Sequence, residues 1–406
     1  MNHETTPDSG TLTCIAILSG VLASAAPAES LVLSPKLALG GNYGIAITEE
    51  GGVVSWGSDH LGDLSGITDA VEVAAFWGHA LILKSDGTVI AVGSNGSGEC
   101  EVPANLPPIV AIGAGYQKTW VVDNVGRVHA WGNDYWCGAG SSSLHVPAGL
   151  VATSVSAGNA HWLFRDIGGW VGGSGCNYNG QLNIPSSLQP AIDFEAAESW
   201  SSIIGADGRI HAYGFNGIGG QLNTPSGDGF VDIACGYYFG VAAREDGSVA
   251  TWGSNQQGER NIPDGMPATI AVEASGYYAA AVHEDGTLTM WGQNDYGELD
   301  HPNDLRIRTH DRDCDGDGVA DWREIIEGTT IDTDGDGIPD PCDEDTPGDC
   351  RGDITENGAV DAVDMGILLA VWGTSGKNNP RADIDGSGIV DAVDLGLLFI
   401  DWGTCP

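Results

Sequence analysis

One pair of glycines recurs seven times along this chain. Gly57, Gly93, Gly132, Gly175, Gly214, Gly253 and Gly292 follow one another at a spacing near 39 residues. Gly51, Gly87, Gly126, Gly169, Gly208, Gly247 and Gly286 each lie six residues before a member of that series. Four of the second set follow aspartate (Asp86, Asp207, Asp246, Asp285), and Asp-Gly between alternating apolar runs is a strong hairpin signal. In the last repeat Tyr278–His283, Asp285-Gly286 and Thr287–Trp291 spell strand, turn, strand, and a polar loop from Gln293 follows. Another apolar segment precedes each hairpin. A unit of this length cannot bury its own faces, so several short strands repeated at this period predict a radial stack that closes on itself. The expected fold is mainly β: a seven-bladed β-propeller from about Leu31 to Leu305, with an open solenoid as the competitor.

The units resemble regulator-of-chromosome-condensation repeats. The residues that carry the likeness are Trp252-Gly253-Ser254-Asn255-Gln256-Gln257-Gly258-Glu259, Tyr213-Gly214-Phe215-Asn216 leading to Gly220-Gln221-Leu222, and Gly175-Cys176-Asn177-Tyr178-Asn179-Gly180-Gln181-Leu182. Their shortness is similar to that of secreted bacterial members, one group of which inhibits β-lactamases. The resemblance implies a binding surface at the loops; the nuclear members' exchange activity on a small GTPase is not carried over.

Those loops are rich in rings. Just past the residue that opens each hairpin stand Tyr43, Phe76-Trp77, Tyr116, His161-Trp162, Trp200, Tyr237-Tyr238 and Tyr277-Tyr278. The loops after the repeated glycines open on the same face and hold Asp59-His60, Asn95, Asn133 to Trp136, Asn177-Tyr178, Asn216, Asn255 and Asn294 to Tyr296. The expected ligand-binding face therefore comprises Tyr43, Trp77, Tyr116, Trp162, Trp200, Tyr237, Tyr277, Tyr135, Tyr178 and Tyr296. Aromatics bury large area at low entropic cost, and they stack on sugars while Asn and Asp hold hydroxyls. The competing expectation is that these rings plug the seams between blades. No nucleophile elbow or Ser-His-Asp spacing stands out, so no catalytic residue is assigned.

The C-terminal quarter carries different chemistry. From Asp311 to Pro406 there are 24 acidic and 5 basic side chains. They are spaced as calcium loops, with oxygen donors at positions 1, 3, 5, 7, 9 and 12 and glycine at 6. The first loop uses Asp313, Asp315, Asp317, the Val319 carbonyl, Asp321 and Glu324; the second uses Asp332, Asp334, Asp336, Ile338, Asp340 and Asp343. A duplicated pair follows: Asp353, Thr355, Asn357, Ala359, Asp361 and Asp364, then Asp383, Asp385, Ser387, Ile389, Asp391 and Asp394. The last two run into apolar helices at Met365–Trp372 and Leu395–Trp402. Up to four calcium ions are expected. Residues 306–349 resemble thrombospondin type 3 repeats, and 350–406 resemble a type I dockerin, which implies docking to a cohesin-like protein.

Residues 1–28 read as an export signal: Leu12 to Ala23 is apolar and small residues follow, although no Lys or Arg precedes it. Cys14 lies within that run. The other eight cysteines (Cys100, Cys137, Cys176, Cys235, Cys314, Cys342, Cys350, Cys405) suit disulfides in an exported chain, with Cys314–Cys342 and Cys350–Cys405 suggested by proximity. The domain order expected is signal peptide 1–28, propeller 29–305, calcium spacer 306–349 and dockerin-like module 350–406. The net charge of −41 excludes a nucleic-acid partner, and no later apolar run is long enough for a membrane span. Together these features predict a secreted, non-catalytic protein that binds an extracellular protein or glycan. The alternatives are a polysaccharide hydrolase or lyase, or an inhibitor of a secreted enzyme.

Overall fold

Each repeat folds as three antiparallel strands. A computed structural model describes residues 36–311 except 59–60, 135–136, 138–141 and 218. Of the C-terminal part it describes 319–332, 339, 354–355, 359–375, 381–382, 384, 389–400 and 403–404. The blades are β1–β3 (Leu37–Leu39, Tyr43–Ile47, Val53–Gly57), β4–β6 (Ala70–Phe76, His79–Lys84, Val89–Gly93) and β7–β9 (Ile109–Gly115, Lys118–Asp123, Val128–Gly132). Then come β10–β12 (Ala152–Ala157, His161–Asp166, Val171–Gly175), β13–β15 (Asp193–Ala196, Trp200–Ile204, Ile210–Gly214), β16–β18 (Phe230–Cys235, Phe239–Arg244, Val249–Gly253) and β19–β21 (Thr269–Ser275, Tyr278–His283, Leu288–Gly292). Among the described residues these make seven three-stranded sheets, as a seven-bladed propeller requires.

The two glycine series mark the strand ends. Gly87 sits at φ +77° in its hairpin, where Asp86 accepts a hydrogen bond from the Thr88 amide at 2.9 Å. Gly93 sits at φ +99°, and a Cβ there would come within 2.4 Å of the Gly78 carbonyl oxygen. Only glycine meets both demands without strain. The middle strand of each blade is covered on both faces by its neighbours; β2, β8, β14 and β20 are buried throughout, their polar residues such as Lys118, Thr119 and Ser201 included. The tryptophan before the repeated glycine packs over a small residue across the sheet, Trp56 on Gly44 and Trp252 on Gly240. Its indole N–H then crosses to the preceding blade: Trp131 to the Glu99 carbonyl at 3.0 Å, Trp252 to Gln221 at 2.8 Å, Trp291 to Glu259 at 2.8 Å.

The ring closes on its first blade. Trp56 donates to the Glu298 carbonyl at 2.8 Å, and the Tyr278 hydroxyl donates to the carbonyls of Gly40 at 2.8 Å and Tyr43 at 2.6 Å. Ile307 bridges Thr48 beside β2, in the place that the opening residue of the first strand takes in other blades. Its neighbour Arg308 donates its amide to Ile47. Blade one is thus built from both ends of the repeat region, and the propeller runs on past the expected limit at residue 305.

The helix expected at Trp322–Glu327 is α1 (Asp321–Glu327). It does not stand off as a spacer. Trp322 is buried in one cluster with Val71, Leu83, Ile109 and Ile112. Asn124, in the hairpin of the third blade, donates its side-chain amide to the Ile326 carbonyl at 3.2 Å. In the chain's last part β22 (Ala359–Val360), α2 (Ala362–Ala370), α3 (Ala392–Ile400) and β23 (Gly403–Thr404) repeat one pattern twice. Both helices begin three residues earlier than expected, α2 because Asp361 caps it. β22 pairs with β23, Ser375 bridges Ile389, and Leu368 and Leu398 are both fully buried. No helix among the described residues is long and apolar enough to cross a membrane.

Candidate binding site at the mouth of the propeller

The hairpins between the first and second strands meet at one end of the ring. In blades two, three and seven they are two-residue turns, since Phe76 pairs with His79, Gly115 with Lys118 and Ser275 with Tyr278. Such turns call for positive φ. Gly276 supplies it at +50°, but Trp77 at +54° and Gln117 at +56° adopt it without being glycine, at a conformational cost. Neighbouring hairpins are tied: Gly41 donates to the Trp77 carbonyl at 2.7 Å, Tyr116 to Gly158 at 3.2 Å, and Tyr237 to Gly276 at 3.0 Å.

These turns bring five rings together. Trp77 meets Tyr116 edge to face at 5.7 Å between centroids, and lies nearly parallel to Tyr237 at 6.5 Å. Tyr277 meets Tyr237 at 5.4 Å and Tyr238 at 6.5 Å. The rings belong to blades two, three, six and seven. Blades two and six are not neighbours, so the Trp77–Tyr237 contact reaches across the mouth. Trp77 remains 49% exposed, and the four tyrosines are half-buried.

Three residues expected on this face belong instead to the seams. Tyr43, Trp162 and Trp200 are fully buried. Tyr43 and Trp200 open their middle strands in register with the repeated glycine, which points them at the next blade. The Tyr43 hydroxyl donates to the His79 carbonyl at 2.7 Å, and the Trp200 indole to the Tyr237 carbonyl at 3.1 Å. Trp162, one residue further on, donates to His145 at 3.2 Å and packs on Trp120 and Phe164. The strand-opening position also holds His79, Lys118 and His161, whose shared role the sequence reading missed. His79 Nε2 pairs with the Thr119 hydroxyl at 3.3 Å, Lys118 donates to the Asn159 carbonyl at 2.8 Å, and His161 Nε2 meets the Ser201 hydroxyl at 2.9 Å. Burial pulls His79 down to about 4 and His161 to about 3, so both stay neutral at pH 7, and it lowers Lys118 to about 8.

The polar loops after the third strands also differ from expectation. Their asparagine side chains are used within their own loops. Asn95 accepts from the Cys100 amide, Asn177 from Leu182, Asn255 from Arg260 and Asn294 from Leu299, all at 2.8–3.0 Å. Tyr178 and Tyr296 are exposed on these outer loops, but the ring contacts of the mouth do not include them. Tyr135 lies outside the described residues. Cys137 and Cys176 form a disulfide between the outer loops of blades three and four, while Cys100 and Cys235 are free thiols. Cys314, Cys342, Cys350 and Cys405 lie outside the described residues.

Beneath the mouth, the inner strands are stapled by acidic side chains. Glu72 accepts from the Ile112 amide at 3.3 Å, Asp193 from Ile233 at 3.0 Å, and Asp232 from Val272 at 2.6 Å. Glu195 accepts from the Ser156 hydroxyl at 2.9 Å. Burial raises the carboxyls of Asp193 to about 6 and Glu195 to about 8. It also lifts Asp232 and Glu273 well above the carboxylate range, with the charge of Asp193 adding to the effect on Asp232 and those of Glu195 and Asp232 to the effect on Glu273. A raised carboxyl holds its proton in the folded state and gives it up in the unfolded chain. Its stabilisation is complete below the ordinary carboxylate range and is lost as pH rises through about 6 to 8. The melting temperature is therefore expected to fall by several degrees between pH 5 and pH 8.5, with a shallower slope in Asp232→Asn. Calorimetry showing equal slopes for the two proteins would contradict this.

Of the calcium-loop residues, Val319, Asp321, Glu324, Asp332, Thr355, Ala359, Asp361, Asp364, Ile389, Asp391 and Asp394 are described. Asp313, Asp315, Asp317, Asp334, Asp336, Ile338, Asp340, Asp343, Asp353, Asn357, Asp383, Asp385 and Ser387 lie outside the described residues. Asp364 is fully buried, and its carboxylate accepts from the Thr355 amide at 3.0 Å, the Thr355 hydroxyl at 2.9 Å and the Asp361 amide at 2.9 Å. Positions 3, 9 and 12 of that loop are drawn together. In the second copy Asp394, also fully buried, accepts from the Asp391 amide at 2.6 Å. Among the described residues no group of three or more His, Cys, Asp or Glu side chains is placed to hold a metal ion.

Comparison with known proteins agrees with this architecture. The regulator of chromosome condensation (RCC1) repeat matches residues 230–259, which run from β16 into the loop after β18. Protein pim1 of Schizosaccharomyces pombe is 22% identical over 307 residues, covering 63% of this chain and 54% of that protein, so the chain spans about half of this relative's length. The CRINKLY WD40 ectodomain of the Arabidopsis thaliana receptor kinase ACR4 superposes with a TM-score of 0.54 at 15% identity, over 65% of this chain and 96% of that one. The ectodomain of the Physcomitrella patens receptor kinase CR4 gives a TM-score of 0.50 at 18% identity, over 63% and 72%. The ring is an RCC1-like repeat propeller, and at these identities the structural likeness speaks for the fold alone.

Proposed function

We propose that this chain is an exported, non-catalytic binding protein. Its propeller mouth grips an extracellular protein or glycan, and its calcium-loaded tail attaches it to a surface or assembly. The observation that carries the proposal is the convergence of five rings from four blades around the half-exposed Trp77. Large rings held rigidly at one spot are what binding hot spots are made of. The disulfide between outer loops, the apolar run at Leu12–Ala23 and the acidic loops support export into a calcium-containing, oxidising compartment. On the tail, Val363, Ile367, Leu369 and Trp372 leave apolar surface exposed on and just after α2, which supports a partner there. A cohesin-like protein is the partner that the dockerin resemblance implies.

The test is capture by the full chain, in calcium, from a glycan array and a panel of purified secreted proteins, alongside Trp77→Ala and Tyr237→Ala. A ligand bound at the mouth should weaken by roughly 30-fold in each variant, the scale of a 2 kcal/mol hot spot. Ligands retained equally by wild type and variants would overturn the assignment of this face.

A further inference from the structure

An acidic side chain lies beside the rings of the mouth. Glu198 lies in the turn between β13 and β14, two residues before Trp200. The Trp200 indole bonds the Tyr237 carbonyl, which sets that turn against the aromatic cluster. Glu198 is close enough to Tyr237 and Tyr238 for its charge to act on both phenols, and it is hydrogen-bonded by the Asn159 side chain. Among the described residues no lysine, arginine or histidine forms an ion pair with it. The nearby cation, Lys118, is turned to the carbonyls of Tyr116 and Asn159. Burial without a counter-charge lifts the Glu198 carboxyl above its ordinary range.

Five electron-rich rings, two of them beside a carboxylate, form a place for positive charge. Ring faces attract an ammonium or guanidinium group electrostatically, and the attraction grows where water is displaced. The carboxylate supplies the charge-assisted hydrogen bond that the rings cannot. A neutral sugar could donate hydroxyl hydrogen bonds to Glu198 but would leave its charge without a counter-charge. The Trp77 backbone is held in a conformation unfavourable for its type, which keeps the ring at the mouth in advance of any ligand.

We infer that the mouth of the propeller is an aromatic cage for the side chain of a lysine or arginine presented by a protein partner, with Glu198 as its counter-ion. This rests on the proposed binding role of the same face and narrows its ligand to a basic protein surface. The net charge of −41 draws such a partner from a distance, and the cage fixes where it docks.

The experiment uses the full chain in calcium at physiological salt. The N-acetyl, N-methylamide derivatives of lysine, arginine and norleucine are titrated and followed by ligand-observed NMR. The expected result is that the lysine or arginine probe binds about tenfold more tightly than norleucine, and that Glu198→Gln removes most of that difference. Norleucine binding as well as both charged probes would overturn the cage, as would Glu198→Gln leaving the preference intact. The first comparison needs no variant, so misfolding of Glu198→Gln cannot rescue the idea. If the cage fails while Trp77→Ala still abolishes capture of a ligand, the aromatic platform stands and only its ligand class is wrong.

Discussion

Trp200→Ala is expected to destabilise the propeller by about 3–5 kcal/mol, the usual range for removing a large buried ring. For a domain of this size that lowers the melting temperature by on the order of 10 °C. Trp200 is fully buried where blade five meets blade six, in one cluster with Ile204, Ile233 and Trp252. Its loss leaves a cavity at the seam and takes away the donor that holds the Tyr237 carbonyl. Trp200→Phe keeps most of the apolar area and forfeits the hydrogen bond, so its cost should be nearer 1–2 kcal/mol. Denaturant titration followed by tryptophan fluorescence separates the two. An alanine variant within 1 kcal/mol of wild type would show that the seam closes over the gap or that the ring was not packed there. Trp77→Ala, by contrast, should leave stability nearly unchanged, since half of its ring faces solvent.

Removing calcium is expected to have the other large effect, and on a different part of the chain. Asp364 and Asp394 are buried acids at the twelfth position of two of the proposed calcium loops, and if those loops bind the ion, metal binding becomes folding free energy there. At a free calcium concentration on the order of 1000 times the dissociation constant, that linkage amounts to about 4 kcal/mol. Hydrogen exchange read at residue level should show the amides of α2 and α3 losing about a thousandfold in protection when a chelator is added, while those of β2, β8 and β14 keep theirs. Asp394→Asn should reproduce part of the loss in the presence of calcium. Helices equally protected in chelator would mean that their apolar contacts alone, Leu368 and Leu398 among them, hold the module together.

The blade plan was legible because a backbone demand was written in one residue type. A strand end that needs positive φ beside a neighbouring carbonyl accepts glycine and little else, so Gly87 and Gly93, with their counterparts, announce the turns. The binding face was legible only in part, because an aromatic residue in the right loop has two fates separated by a single position. Tyr277 lies in the turn and joins the cluster, whereas Tyr278 opens the strand and is buried against blade one. Tyr43 and Trp200 are in the position of Tyr278, and Tyr116 in that of a turn residue. Counting back from the repeated glycine, rather than forward from the first strand, would have sorted them. The role of Glu198 was not legible, since its importance comes from rings more than thirty residues away. Nor was the part played by Ile307, which matters only once the ring is closed.

That closure has a mechanical side. The chain leaves the ring through Ile307 and Arg308, the same residues that complete blade one. If the tail is the anchor and the mouth holds a load, tension in the chain reaches α1 and then this seam before any other part of the ring. The Ile307–Thr48 bridge, the Arg308 amide to Ile47 and the packing of α1 on the third blade would be pulled before any complete blade is. Blade one has a short strand of three residues at this point, Leu37–Leu39, so the ring should open there under force and nowhere else first. A propeller sealed in this way is as strong in traction as its last few residues, however stable its seven blades are at rest.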